Sequence, residues 1–270
     1  MDIDLKIIKP TNELRLACFG NDNILRTIKY GTTYGFDGLL TLLGQINNDW
    51  NQIINITFDY RDLIDKLVLN QKLTIEQKKT LVSLKKIIKT KSNKQIETEL
   101  YNLLLDYKTK VAKNIFIELS KLYTPTNANL SLFGVNTRIG FGGSATKYSF
   151  YISTNNLNSI PKHKEHIFAL ITHELIHTIN SNNCVYKNIR PKLKNQFSNN
   201  YFSETFTDTI TNIVMYKAGY SKEKYPNYRY PENKNSCELE DKLRLLYDSW
   251  NKSTKKEKFI EFIYKRADKL

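Results

Sequence analysis

The sequence predicts a mainly helical α+β fold with a small β-sheet, and three observations carry that expectation. Apolar residues recur at helical spacing through two long stretches, 58–123 and 161–219. Between them, Tyr148, Phe150 and Ile152 alternate with Ser149, Tyr151 and Ser153, which is the period of a strand. A composition that is 40% apolar and 12% aromatic over 270 residues suits a globular chain with one substantial core or two small ones.

Taken in order, the first fifty residues mix short apolar runs at 14–19 and 39–43 with glycines at 31, 35, 38 and 44, and read as short helices or strands. Thr74-Ile75-Glu76-Gln77 and Ser92-Asn93-Lys94-Gln95 are capping boxes, opening helices expected over 75–90 and 93–122. Leu100, Leu103, Leu104, Val111, Ile115 and Leu119 face a core in the second of these, and Thr124-Pro125-Thr126 ends the region. The strand segment follows, with Gly140, Gly142 and Gly143 around Phe141. A helix over 161–181 opens with Pro161 in its first turn and stops in an asparagine-rich stretch.

The next segment is ambiguous. Thr205, Thr207, Thr209 and Thr211 alternate like a strand, but a strand would put Asp208 among apolar residues. A helix instead gathers Phe202, Phe206, Ile210, Ile213, Val214 and Ala218 on one face, ended by Gly219, and is the favoured reading. A Tyr- and Pro-rich loop over 220–230 leads to a helix at 238–250. Thr254-Lys255-Lys256-Glu257 is expected to cap a last helix carrying Phe259, Ile260, Phe262 and Ile263.

Chemistry concentrates in the 161–181 helix. The chain has 4 histidines, and two of them stand in His173-Glu174-Leu175-Ile176-His177. Residues four apart share a helix face, so both imidazoles can reach one cation. Glu174, next to the first of them, can reach a water held by that cation; this is the HExxH pattern. Two satisfied core histidines are the bland alternative, against which Glu174 weighs. His163 and His166 lack the spacing and fall in the solvated first turn.

A catalytic zinc takes three protein ligands and keeps one position open. No histidine follows His177, and Asn180 and Asn183 stand where a metzincin carries Gly and His, which excludes that group. The third ligand is therefore sought among carboxylates. Glu204 and Asp208 are four apart; one can bind the ion while the other holds the free nitrogen of a ligating ring. Glu165, Glu223, Glu232 and Glu238 are weaker candidates. A solvated helix face is the alternative for the Glu204 and Asp208 pair.

On these residues the chain resembles the gluzincins, the thermolysin-like clan of HExxH zinc metallopeptidases, over about 161–219. The resemblance implies a zincin-like fold with one catalytic Zn2+, ligands His173, His177 and Glu204, Glu174 as general base, and Asp208 partnering His173. It also implies an edge strand beside the active-site helix, with Tyr148, Phe150 and Tyr151 in the segment that binds the substrate backbone. Thermolysin-like enzymes stabilise the oxyanion with a downstream His or Tyr. Here that leaves Tyr225, Tyr228 and Tyr230, with Tyr201 and Tyr216 behind them. The implied activity is that of a zinc metalloendopeptidase acting on a protein or peptide. The catalytic region is expected at 131–270, with a largely helical 1–130 packed on it or continuous with it.

Composition bounds the rest. No apolar run reaches membrane-span length, and the start of the chain lacks a signal-peptide pattern. The expectation is a cytoplasmic protein, or a secreted one whose leader has been removed. Cys18, Cys184 and Cys237 are odd in number and widely spaced, which fits reduced thiols. A net charge of +14 invites a nucleic-acid reading, but the lysines lie on solvated helix faces and no nucleic-acid-binding signature occurs, so no such partner is expected. A catalytically silent, zinc-stabilised binding protein is the other alternative to the peptidase.

Overall fold

The computed structural model describes residues 2–25, 60–87, 93–124, 127–137, 141–193, 199–221, 234–253, 257–267 and 270. The chain begins with strand β1 (Asp2–Ile7) and helix α1 (Asn12–Phe19), capped by the Thr11 hydroxyl, which accepts from the Leu14 amide, and continues into a π-type turn, Gly20–Leu25. Helices α2 (Tyr60–Val68), α3 (Ile75–Ile87) and α4 (Lys94–Asp106) follow. A π-type turn, Tyr107–Val111, joins α4 to α5 (Ala112–Leu122).

Next come β2 (Asn127–Val135), β3 (Gly142–Ala145) and β4 (Ser149–Ser153). The remainder is helical: α6 (Lys164–Asn182), α7 (Val185–Ile189), α8 (Asn199–Lys217), α9 (Lys234–Lys252) and α10 (Phe259–Tyr264). This is a mixed α+β architecture, mostly helix with one small sheet.

Local chemistry explains several boundaries. The Thr74 capping box forms: the Gln77 amide donates to Thr74 Oγ1 at 3.1 Å and the Thr74 amide donates to Gln77 Oε1 at 3.0 Å. At α4 Asn93 Oδ1 accepts from the amides of Gln95 and Ile96; Ser92 lies outside the described residues. α10 likewise starts after Lys258 with no side-chain cap, and the expected cap Thr254 lies outside the described residues. So do the 39–43 run and the glycines at 31, 35, 38, 44 and 140.

By its contacts the chain forms two compact units, 1–5 with 106–129 and 163–270, and 6–105 with 130–162. They interleave along the sequence, so a boundary near 130 does not separate them. In the second unit, Phe133 and Val135 of β2 and Tyr151 of β4 join Leu14, Ala17, Phe19, Tyr60, Leu63 and Ile64 in one buried cluster. That packing is what draws the strands to the N-terminal helices. In the first unit, α8 packs on α6 and on α9, burying Ile171, Leu175 and Ile179 of α6 with Phe206, Ile210 and Val214 of α8.

The sheet runs β1-β2-β4-β3. β4 pairs in parallel with β2, Leu132 opposite Phe150, and antiparallel with β3, Ser144 opposite Tyr151. This corrects the expected edge strand: both sides of β4 are already hydrogen-bonded, so it has no free edge for a substrate backbone. Its five residues are all buried, and burial on both faces marks a central strand. Phe150 and Tyr151 are core residues; Tyr151 stacks on Phe133 at 5.2 Å and donates to Asp22 Oδ1 at 2.9 Å. Tyr148, just before the strand, is half-buried and its amide donates to Asp65 Oδ1. The strand belongs to the second compact unit and the motif helix to the first.

Candidate metal centre

The motif helix α6 is almost wholly buried from Ile167 to Asn180, which a helix polar at His173, Glu174, His177 and Asn180 tolerates only if those groups find partners. His173 and Glu174 are 2% and 6% exposed. The ring centroids of His173 and His177 lie 4.5 Å apart, nearly perpendicular, so the two rings converge rather than stack.

The facing helix is α8, which settles the ambiguity left by the alternating threonines. Thr209 and Thr211 turn their hydroxyls back onto the carbonyls of Thr205 and Thr207, at 2.8 Å each, and so bury their polar atoms inside a helix. Gly219, at φ +80°, ends it: the Tyr220 amide donates to Met215 O and the Gly219 amide to Tyr216 O, the two bonds of a Schellman cap. On this helix Glu204 and Asp208 stand one turn apart and both face α6.

Glu204 reaches both imidazoles. Its Oε2 lies 3.3 Å from His173 Nε2 and its Oε1 3.4 Å from His177 Nε2. Those separations exceed the roughly 2.7–2.9 Å of a charge-assisted hydrogen bond. They agree with the spacing of donor atoms around one tetrahedral ion with bonds of about 2.0–2.1 Å, whose ligands stand roughly 3.3–3.4 Å apart. His173, His177 and Glu204 offer three ligand atoms that all lie within 4.8 Å of one another, a group able to hold a metal ion. His177 Nε2, buried with no hydrogen-bond partner, is the atom such an ion would satisfy.

The other ring nitrogens are held from behind. Asp208 Oδ1 comes to 2.7 Å of His173 Nδ1, although the ring N–H is not aimed along that line. His177 Nδ1 lies 2.9 Å from the Tyr186 hydroxyl and 3.4 Å from Thr207 Oγ1. Behind these, Asn180 Nδ2 donates to Tyr186 at 2.9 Å, and the Tyr123 hydroxyl donates to Asn180 Oδ1 at 2.8 Å.

The electrostatics follow. Burial would lower the His173 pKa, but the charge and hydrogen bond of Asp208, then Glu204 and Glu174, overcome it and push the ring up to about 9. Burial pushes Glu204 up, yet hydrogen bonds and charge from His173 and His177 outweigh this and hold its carboxyl far below the usual range. Just over half of the Glu204 side chain is exposed, which screens that pull. Burial raises the Tyr186 phenol well above its ordinary value, with Thr207 and Asn180 opposing, so it stays a neutral hydroxyl.

Of the residues singled out from sequence, His173, His177, Glu204 and Asp208 meet in one place, and the charge of the buried Glu174 acts on His173. Tyr225, Tyr228 and Tyr230 lie outside the described residues, as do Glu223, Glu232 and the side chain of Tyr201. Tyr216 is 37% exposed on the last turns of α8. His163 precedes the first turn of α6 and His166 lies in it, the two rings 5.8 Å apart.

Tyr186, Thr207, Asn180 and Tyr123 were not foreseen. Asn180 and Thr207 stand one turn from named site residues, a signal that could have found them. Tyr186 returns only because Cys184 adopts φ +53° and reverses the chain between α6 and α7; periodicity carries no trace of that. Among the described residues, no helix is long and apolar enough to cross a membrane. Comparison of the chain with protein-family models, curated proteins and solved structures finds no match.

Proposed function

We propose that this chain is a zinc-dependent metallopeptidase that hydrolyses peptide bonds of a protein or peptide substrate. The observation that supports it most is the convergence of His173 Nε2, His177 Nε2 and a Glu204 carboxylate oxygen within 4.8 Å, with a carboxylate outside that set one residue along the helix. Two imidazoles and one carboxylate with an open position are a catalytic zinc donor set. The same donors also suit Fe(II). Glu174 favours the hydrolytic reading, because a base beside the ligands has a use in activating water.

His173, His177 and Glu204 would hold the ion, which would supply a Lewis acid and lower the pKa of a bound water toward neutrality. Glu174 takes the proton of the attacking water and delivers it to the leaving amine. Asp208 and Tyr186 hold the two rings from their far sides.

The test is metal analysis of the purified protein together with cleavage of a peptide library by wild type and Glu174→Gln. One zinc per chain, turnover by wild type, and metal retained with turnover lost in the variant are the expected results. Zinc without turnover on any peptide would overturn the reading in favour of a silent zinc-stabilised protein.

A further inference from the structure

His173 and His177 are held by different chemistry, a carboxylate behind the first and a neutral phenol behind the second. We infer that Tyr186 is a positioning residue that keeps the His177 proton on Nδ1, and so keeps the Nε2 lone pair turned toward the metal position. The inference rests on the reading of His177 as a ligand and extends it to what orients that ligand.

The donors and acceptors around Tyr186 decide the proton's place. The phenol oxygen has one proton to give and can accept two. Asn180 Nδ2 donates to it, and the amide is oriented for this by the Tyr123 hydroxyl, which donates to Asn180 Oδ1. The phenol oxygen has its shortest contact with Thr207 Oγ1, at 2.5 Å, and we assign the phenol as the donor there. That leaves one acceptor direction on Tyr186 free, and His177 Nδ1–H fills it at 2.9 Å.

The opposite assignment puts the proton on Nε2. That atom is buried, and the nearest acceptor, Glu204 Oε1, stands 3.4 Å away, against 2.9 Å from Nδ1 to the Tyr186 oxygen. A buried N–H on Nε2 would make only a long contact with that carboxylate, whereas Nδ1–H makes a normal hydrogen bond and leaves on Nε2 the lone pair that a cation requires. The network therefore prepares His177 in the form that ligates, before any ion arrives. Tyr186 is anchored for the task by edge contacts of its ring with Phe202 and Phe206, at 6.3 and 6.1 Å.

The test uses the full chain in zinc-free and zinc-loaded forms. Nitrogen-15 NMR of the His177 ring reads the tautomer in the zinc-free wild type, and competition with a chelator reads zinc affinity in wild type, Tyr186→Phe and Thr207→Val. The expected spectrum shows the proton on Nδ1. Tyr186→Phe keeps the ring packing and is expected to weaken zinc binding about 10–100-fold, the range typical of losing a partner behind a ligand.

Thr207→Val removes the acceptor of the phenol proton, so the phenol turns it onto Nδ1; the His177 proton should move to Nε2 in the zinc-free form and zinc affinity should fall. If Tyr186→Phe does not fold, the wild-type spectrum and Thr207→Val decide the matter. A zinc-free wild type with the proton on Nε2, or unchanged zinc affinity in a folded Tyr186→Phe, would overturn the inference. Zinc binding without any cleavage would overturn the peptidase reading and leave this one standing.

Discussion

Asp208 Oδ1 lies 2.7 Å from His173 Nδ1, on the side of the ring opposite Glu204. The carboxylate therefore favours the charged form of the imidazole. Asp208→Asn keeps the shape and removes the charge, and is expected to weaken zinc binding about 10–100-fold. Chelator competition measures it; affinity within twofold of wild type would show that Asp208 has no hold on the ring.

The same contact predicts a pH dependence. With His173 raised from 6.5 to about 9, the charged ring stabilises the metal-free fold fully below about pH 6.5. That stabilisation is lost as pH rises through about 9. Thermal melts of metal-free protein should show Tm falling across this window, with a flatter profile in Asp208→Asn. Zinc must displace the same proton, so apparent affinity should climb about tenfold per pH unit up to that limit. A profile with no slope between these values would contradict the assignment.

Glu174→Gln and Glu204→Ala should fail differently. Removing a general base lowers turnover by about 100–10,000-fold and leaves the ligands in place, so Glu174→Gln keeps its zinc. Glu204→Ala deletes one of three ligands and loses the ion. Metal content measured beside activity separates them; zinc retained by Glu204→Ala at wild-type affinity would remove Glu204 from the site.

The sheet unit supplies a stability test remote from the metal. A Cβ added at Gly134 on β2 would stand 2.6 Å from Cβ of Leu100, closer than such atoms approach. Gly134→Ala is expected to destabilise by about 1–3 kcal/mol through overpacking. Urea unfolding reads it, and no change in midpoint would mean that the helix carrying Leu100 shifts freely.

How much of this was legible depended on what each feature needs. The spacing of His173, Glu174 and His177, and of Glu204 and Asp208, lies within single helices, so a period of 3.6 carried the placement. The gathering of the two helices was not in any pattern; it entered through a family resemblance. Thr205 to Thr211 left a strand open beside the favoured helix because β-branching suits one, and back-bonding to the preceding turn absorbs the hydroxyls in the helix. The alternation at 148–153 correctly marked a strand, but alternation alone does not say which neighbours a strand has. Its central place comes from β2, nearly twenty residues earlier, pairing Val135 with Ser153. Tyr186 depended on a left-handed residue, Cys184, of a type that rarely adopts that conformation.

The uneven exposure of the three residues able to hold a metal gives the cluster a closed back and an open front. His173 and His177 have side chains 3% and 14% exposed, while Glu204 stands at 53%. An ion held there would meet solvent on the side of the carboxylate, with the imidazoles buried behind it. Exchange rates with dissolved zinc would be governed by what occupies position 204, and equilibrium selectivity by the two rings behind it.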